Sequence, residues 1–228
     1  MPTKKVRSSE VDAYAYIRDR LKDLGWNIKN PSRHPTGQVW TQNQCLSDTR
    51  IKDRLGAKHP ENIIKISETK LWVIEAKANR KDIDLALSEA VEYYSERINE
   101  DGHYHAIIAT GVAGNEDTGL YLIKTKIRID GKWHVVTINR QEATALLSPK
   151  DVATLLSQNT PDISDFAPPQ KLFLQSAERI NGILHVGGIN KNQRAEVMAA
   201  LLLSVVQEPQ PNLDADLDVL IDEINSRA

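Results

Sequence analysis

The sequence predicts an α/β domain followed by a small all-helical segment. Three observations carry that expectation. Short apolar, strand-like runs alternate with helix-period stretches over roughly the first 145 residues. One run, Leu71-Trp72-Val73-Ile74, is apolar on both faces, as a strand in the middle of a sheet must be. Beyond the prolines at 149, 161, 168 and 169, only helix-period patterns follow.

The elements are expected in this order. Residues 8–24 read as an amphipathic helix, with Val11, Tyr14, Ile17, Leu21 and Leu24 at three- and four-residue spacing and Ser8 or Ser9 as N-cap. Gly25 stops it, and Trp26-Asn27-Ile28 begins a strand-like segment. Residues 30–60 read mostly as loop, with a short helix as the alternative. Asn62–Ile66 is a short strand, Ser67–Lys70 a hairpin turn, and Leu71–Ile74 a second strand that runs into Glu75-Ala76-Lys77. Residues 81–99 are a helix with Ile83, Leu87, Val91 and Tyr94 on one face. His105–Thr110 is a strand ended by Gly111, and Leu120–Ile123 and Val135–Ile138 are two more, with Asp130-Gly131 as a turn between them. The division expected is a domain at 1–147, a connecting segment at 148–170 and a helical region at 171–228. That last region holds two helices broken at Gly187-Gly188 and a further acidic helix at 213–227.

Composition narrows the function classes. Of 228 residues, 40% are hydrophobic and 26% charged, ordinary values for a globular protein. No apolar run is long enough to span a membrane, and no apolar stretch follows the basic start to make a signal peptide. The single cysteine, Cys45, excludes an internal disulfide and a cysteine-based zinc site, and favours a reducing, cytoplasmic compartment. The net charge of -2 hides an asymmetry: residues 1–60 hold 12 Lys and Arg against 6 Asp and Glu. That part either faces phosphates or is a solvated surface with scattered charge.

The chemistry converges on Glu61, Glu75 and Lys77. Magnesium takes hard oxygen ligands, one or two carboxylates with water and phosphate oxygens completing an octahedron. Glu61 stands after Pro60, just before the first arm of the hairpin, and Glu75 ends the second arm, so the hairpin brings both to one end of the sheet. Side chains two apart on a strand share a face, so Glu75 and Lys77 project together. Ala76 points away and leaves its backbone carbonyl as a ligand. A lysine ammonium beside the metal-bound water favours hydroxide and stabilises charge on a scissile phosphate. A strand ending in Glu-x-Lys is common by itself, because strand ends reach solvent. Here an apolar central strand, a Pro-acid pair across the hairpin and a following helix accompany it.

Pro60-Glu61, the strand Leu71–Ile74, Glu75-Ala76-Lys77 and the opening helix at Ser9-Glu10 with Gly25-Trp26 resemble the PD-(D/E)xK nuclease superfamily. More narrowly, they are similar to the N-terminal nuclease domain of type I restriction subunits and of fused, type IIG-like restriction–modification enzymes. The resemblance implies a restriction-endonuclease-like central mixed sheet flanked by helices, over residues 8–140. It implies a metal-dependent DNA endonuclease using Mg²⁺, with Mn²⁺ able to substitute, and double-stranded DNA as partner. It also implies that Glu10 supplies a further acid near the metal. A Gln-x-x-x-Tyr motif in the helix after the lysine maps to Glu89 and Tyr93, as a second shell around the site. Two positions depart from the pattern: Glu61 stands for the usual aspartate, and Glu89 for a neutral glutamine.

Other features carry less. The run Arg50, Lys52, Arg54, Lys58 precedes Glu61 and either grips the DNA backbone or is solvated. Gly111–Gly114 lacks a phosphate-loop lysine and reads as a turn, and His103 and His105 as strand rim. Asn181–Leu184 and Arg194–Leu203 resemble the helical region ahead of the catalytic domain of adenine-specific DNA methyltransferases, or are an ordinary helical pair. The acidic run to Ala228, without a cap, suggests a piece of a longer protein, with a methyltransferase or helicase domain downstream. Cutting both strands suggests a dimer on DNA. The competing expectation is a nuclease-fold module whose site has decayed, one that binds DNA or scaffolds a larger complex.

Overall fold

The computed structural model describes residues 10–100, 102–115, 119–163 and 170–206, with all their side chains except those of 10–12, 170–176, 191–192 and 201–206. The chain divides into two compact units, Met1–Ala167 and Pro168–Ala228. The first is α/β.

Six strands make one mixed sheet in sequential order: β1 (Val39–Thr41), β2 (Asn62–Lys65), β3 (Lys70–Lys77), β4 (His105–Asn115), β5 (Leu120–Ile129) and β6 (Lys132–Val135). Every neighbouring pair is antiparallel except β3 with β4. That parallel pair requires a crossover, and the helical stretch at 83–99 supplies it. β3 lies in the interior of the sheet and is buried from Leu71 to Ala76, as its unbroken apolar run demands.

The two faces of β3 belong to different cores. Trp72, Ile74 and Ala76 pack with Ala13, Ile17 and Leu21 of α1 (Glu10–Asp23). Leu71 and Val73 pack with Leu87, Ala90, Val91 and Tyr94 of the crossover. The crossover is not uniform: α3 (Ile83–Ser88) passes into a π-helical segment, Glu89–Ser95, before α4 (Glu96–Asn99). The buried Ser95 hydroxyl donates to the Ala90 carbonyl at 2.7 Å within it.

Several local expectations are corrected. Trp26–Ile28 is no strand; it runs alongside β1, with Gln38 N–H donating to the Asn27 carbonyl at 2.9 Å. Residues 30–60, expected mostly as loop or with a short helix, hold that helix and more besides. They contain β1, a 3₁₀ turn (Gln42–Ser47) and α2 (Thr49–Leu55), N-capped by Asp48. Gly111 does not end its strand. β4 continues to Asn115, and Gly111 is the point where α3 crosses closest: a Cβ there would lie 2.5 Å from the Leu87 backbone nitrogen. Val135–Ile138 is split at the buried Val136, β6 staying in the large sheet and β7 (Thr137–Ile138) joining a small one with β8 (Gln141–Glu142) and β9 (Asp162–Ile163). The Asp130-Gly131 turn joins β5 to β6, both residues at positive φ as a two-residue hairpin requires.

Residues 148–163, expected as connector, form α5 (Pro149–Gln158) and β9 within the first unit. Pro149 opens the helix at its first turn, where its missing N–H costs nothing. Ser148 and Asp151 form a capping box around it, and Val152 and Leu155 enter the core shared with α1. The Trp26 indole donates to the Leu147 carbonyl at 2.9 Å, tying this segment to the start of the chain.

In the second unit α6 (Gln170–Val186) and α7 (Lys191–Val206) are joined through Gly187-Gly188, with Gly188 at positive φ. Arg194 bonds the Ile189 carbonyl at 2.8 Å and the His185 ring at 2.9 Å. The helix expected at 213–227 lies outside the described residues. Among the described residues no helix is long and apolar enough to cross a membrane.

Candidate active site

Register places the first two acids. Asn62 pairs with Ile74, so one step beyond the ladder Glu61 falls opposite Glu75. The Glu61 backbone N–H donates to Glu75 Oε2 at 3.3 Å. On the same face of β3, Lys77 Nζ lies 3.2 Å from Glu75 Oε1. Ala76 faces the α1 core, as the strand period requires.

Glu75 is 8% exposed, at a sheet end where its neighbours are mostly acids. Burial pushes its carboxyl up to about 7; Lys77 only partly offsets this, and the charges of Glu89 and Glu61 add to it. Burial also works against the Lys77 charge, yet the hydrogen bond from Lys77 to Glu89 and the field of Glu75 outweigh it and hold the lysine above its ordinary range. Lys77 Nζ is 2.7 Å from Glu89 Oε2. Glu89 is thus brought into the site as a direct partner of the lysine, from the first turn of the π segment.

Two residues complete the frame: Gln42, which no sequence pattern marked, and Tyr94, which the helix period marked only as a packing position. Gln42, at positive φ, donates its backbone N–H to the Glu61 carbonyl at 2.8 Å and its side-chain amide to Glu61 Oε1 at 3.1 Å. Tyr94 lines the cluster; burial and the negative fields of Glu75 and Glu89 push its hydroxyl well above the usual tyrosine range. No motif signals Gln42, because only the β1–β2 pairing brings it to Glu61.

The other predicted residues separate. Glu10 opens α1, on the sheet face opposite Glu75 and Lys77; its side chain lies outside the described residues. The Arg50 guanidinium is committed to Asp48 at 2.8 Å, to the Tyr104 hydroxyl and to His103. Arg54 faces Glu100 at 3.8 Å, and Lys52 is exposed on α2. Lys58 lies over the ring of Tyr93, 4.6 Å from its centroid. Beside Glu61, the fully buried Asn62 side chain has no hydrogen-bond partner for its amide nitrogen or oxygen. A buried amide left so costs about 1–3 kcal/mol.

Carboxylates are the oxygen ligands that hard divalent cations take, and Glu61 and Glu75 are the two acids the hairpin brings together. Glu75 and Glu89 both contact the Lys77 ammonium, Glu61 meets Glu75 through its backbone N–H, and it is first burial, then the charges of Glu89 and Glu61, that raise the Glu75 carboxyl. Among the described residues no three His, Cys, Asp or Glu side chains already converge as a metal-holding group. No family model, no curated protein and no solved structure matches this chain.

Proposed function

We propose that this chain carries a metal-dependent DNA endonuclease domain of the PD-(D/E)xK type, with a restriction-endonuclease-like fold, serving a restriction–modification enzyme. One observation carries it: Glu75 and Lys77 share a face at the end of an interior strand, 3.2 Å apart, with Glu61 held against Glu75 across the hairpin. The order of helix, antiparallel hairpin, helical crossover and parallel strand around that point supports the same reading.

Glu61 and Glu75, with the Ala76 carbonyl, would hold a magnesium ion, which would supply Lewis-acid charge and lower the pKa of a bound water; Glu10, which the family resemblance adds to this set, opens α1 on the opposite face of the sheet. The chain's own groups do the rest. Gln42 donates its side-chain amide to the Glu61 carboxylate and so fixes it. Lys77 presents its ammonium beside Glu75, where it stabilises a nearby hydroxide and the charge that develops on the phosphate. Glu89 holds that ammonium in place.

Lys77→Ala should lower plasmid cleavage in Mg²⁺ or Mn²⁺ by at least about a hundredfold while leaving the thermal unfolding transition in place. Undiminished cleavage by that variant would sink the assignment. A second reading, a decayed module that binds DNA or scaffolds, is favoured by the closure of the Lys77–Glu89 ion pair and of Glu61 on Gln42. Calorimetry separates the two. Salt-dependent DNA binding with no heat on titration of Mg²⁺ or Mn²⁺ selects the module.

A further inference from the structure

Lys58 and Arg97 stack on one aromatic ring. The Lys58 ammonium lies 4.6 Å and the Arg97 guanidinium 4.2 Å from the centroid of Tyr93. Neither is paired with a carboxylate among the described residues, whereas Arg50, Arg54, Lys65, Lys77, Lys124 and Arg128 all have acidic partners. Two like charges held at one ring repel each other, and an anion that reaches both relieves that repulsion. The Tyr93 hydroxyl adds a third polar group. The hydrogen bond from Lys58, opposed by slight burial and joined by the Arg97 charge, holds it below the ordinary tyrosine range.

The place of this cluster gives it a substrate. Tyr93 follows Glu89 by four residues in the π segment, so the two sit about one turn apart on a single stripe. Glu89 holds Lys77. Arg97 continues the stripe another four residues. Lys58 stands three residues before Glu61 in the chain. The helical stripe that carries Tyr93 and Arg97 thus begins at Glu89, which contacts Lys77, and Lys58 lies close in the chain to Glu61.

The geometry points to a phosphodiester clamp in which Lys58 and Arg97, carried on Tyr93, grip the backbone of duplex DNA next to the bond cut at Lys77. It rests on the nuclease reading for the position of the cut, but its binding is scored without catalysis. A polyanion neutralised at two more phosphates binds with a steeper salt dependence. Phosphate contacts of this kind position the duplex and carry no sequence information.

The test uses the full chain and a fluorescein-labelled duplex of about 30 base pairs, long enough to cover the site, in EDTA over a series of NaCl concentrations. The double variant Lys58→Ala/Arg97→Ala should weaken binding about tenfold or more and lower the salt slope by about two. The control Lys132→Ala/Lys150→Ala removes the same charge from exposed positions on β6 and α5, and should stay within about twofold of the native protein. In Mg²⁺ the clamp variant should raise KM and leave kcat at saturating DNA largely unchanged. Unchanged affinity and slope in the double variant, or an equal loss in the control, overturns the clamp even if the native protein cleaves. Absence of cleavage by the native protein overturns the nuclease reading instead, and leaves the clamp to the binding measurement.

Discussion

Glu75 shows at the scale of one residue how a site departs from what is best for stability. Its carboxyl is buried, faces two other acids, and is pushed up to about 7 from an ordinary 4.5. A group whose folded pKa exceeds its unfolded one stabilises the fold fully below the unfolded value, and that contribution is lost as pH rises through the folded value. Metal-free protein should therefore lose stability between about pH 4.5 and 7, by on the order of 3 kcal/mol from this group. Urea unfolding in EDTA across that range should show a slope in the native protein that Glu75→Gln flattens. Identical slopes in both would mean that Glu75 is ionised and comfortable without a cation. Lys77 and Glu89 belong to the same balance: the acid at 89 adds charge around Glu75 and at the same time anchors the lysine at 2.7 Å.

At the scale of elements, the site is set by how the crossover meets the sheet. The α3 backbone passes so near β4 that only glycine fits at 111, where a Cβ would meet Leu87 N at 2.5 Å and Leu87 Cα at 2.9 Å. Both are backbone atoms, so no rotamer change relieves the clash. Gly111→Ala should cost about 1–3 kcal/mol as overpacking. It should also lower cleavage, because Leu87 is two residues from Glu89 and a shifted helix moves that carboxylate off Lys77. Denaturant unfolding and plasmid cleavage measure the two effects; a variant with native stability would show that the helix yields freely. The π segment that follows sets Glu89 and Tyr93 on one stripe. Such wide turns are rare and recur at functional sites.

At the scale of the molecule, the first unit extends past the point where the sequence suggests a connector. Val152, Leu155 and Ile163 lie in the α1-side core, and each is worth about 1.5–3 kcal/mol on burial. Their sum is comparable with the whole stability of an ordinary domain. A fragment of residues 1–167 should unfold cooperatively and retain the cleavage proposed above, while one ending at 147 should lose the cooperative transition. Circular dichroism melts of the two fragments decide it, and a cooperative 1–147 fragment would show that α5 is peripheral. The prolines misled at this boundary because proline marks both a break and a helix start, and only the Ser148 cap and the buried faces of Val152 and Leu155 tell which.

What the sequence by itself determined is the α/β class, the hairpin at 62–77, the interior position of β3, and the shared face of Glu75 and Lys77. These follow from local rules: period-two alternation, an unbroken apolar run, and turn chemistry between neighbouring residues. What only the tertiary structure decided is the partner of each group. Gln42 reaches Glu61 from 19 residues away, Lys77 of β3 meets Glu89 of the π segment, Arg50 turns to Asp48 and Tyr104, and Lys58 and Arg97 meet on Tyr93. Such contacts depend on register, helix phase and the close approach at Gly111, and no local pattern encodes them. Glu89 is the clearest instance. In the sequence it is a departure from a motif; in the fold it is the group that holds the lysine.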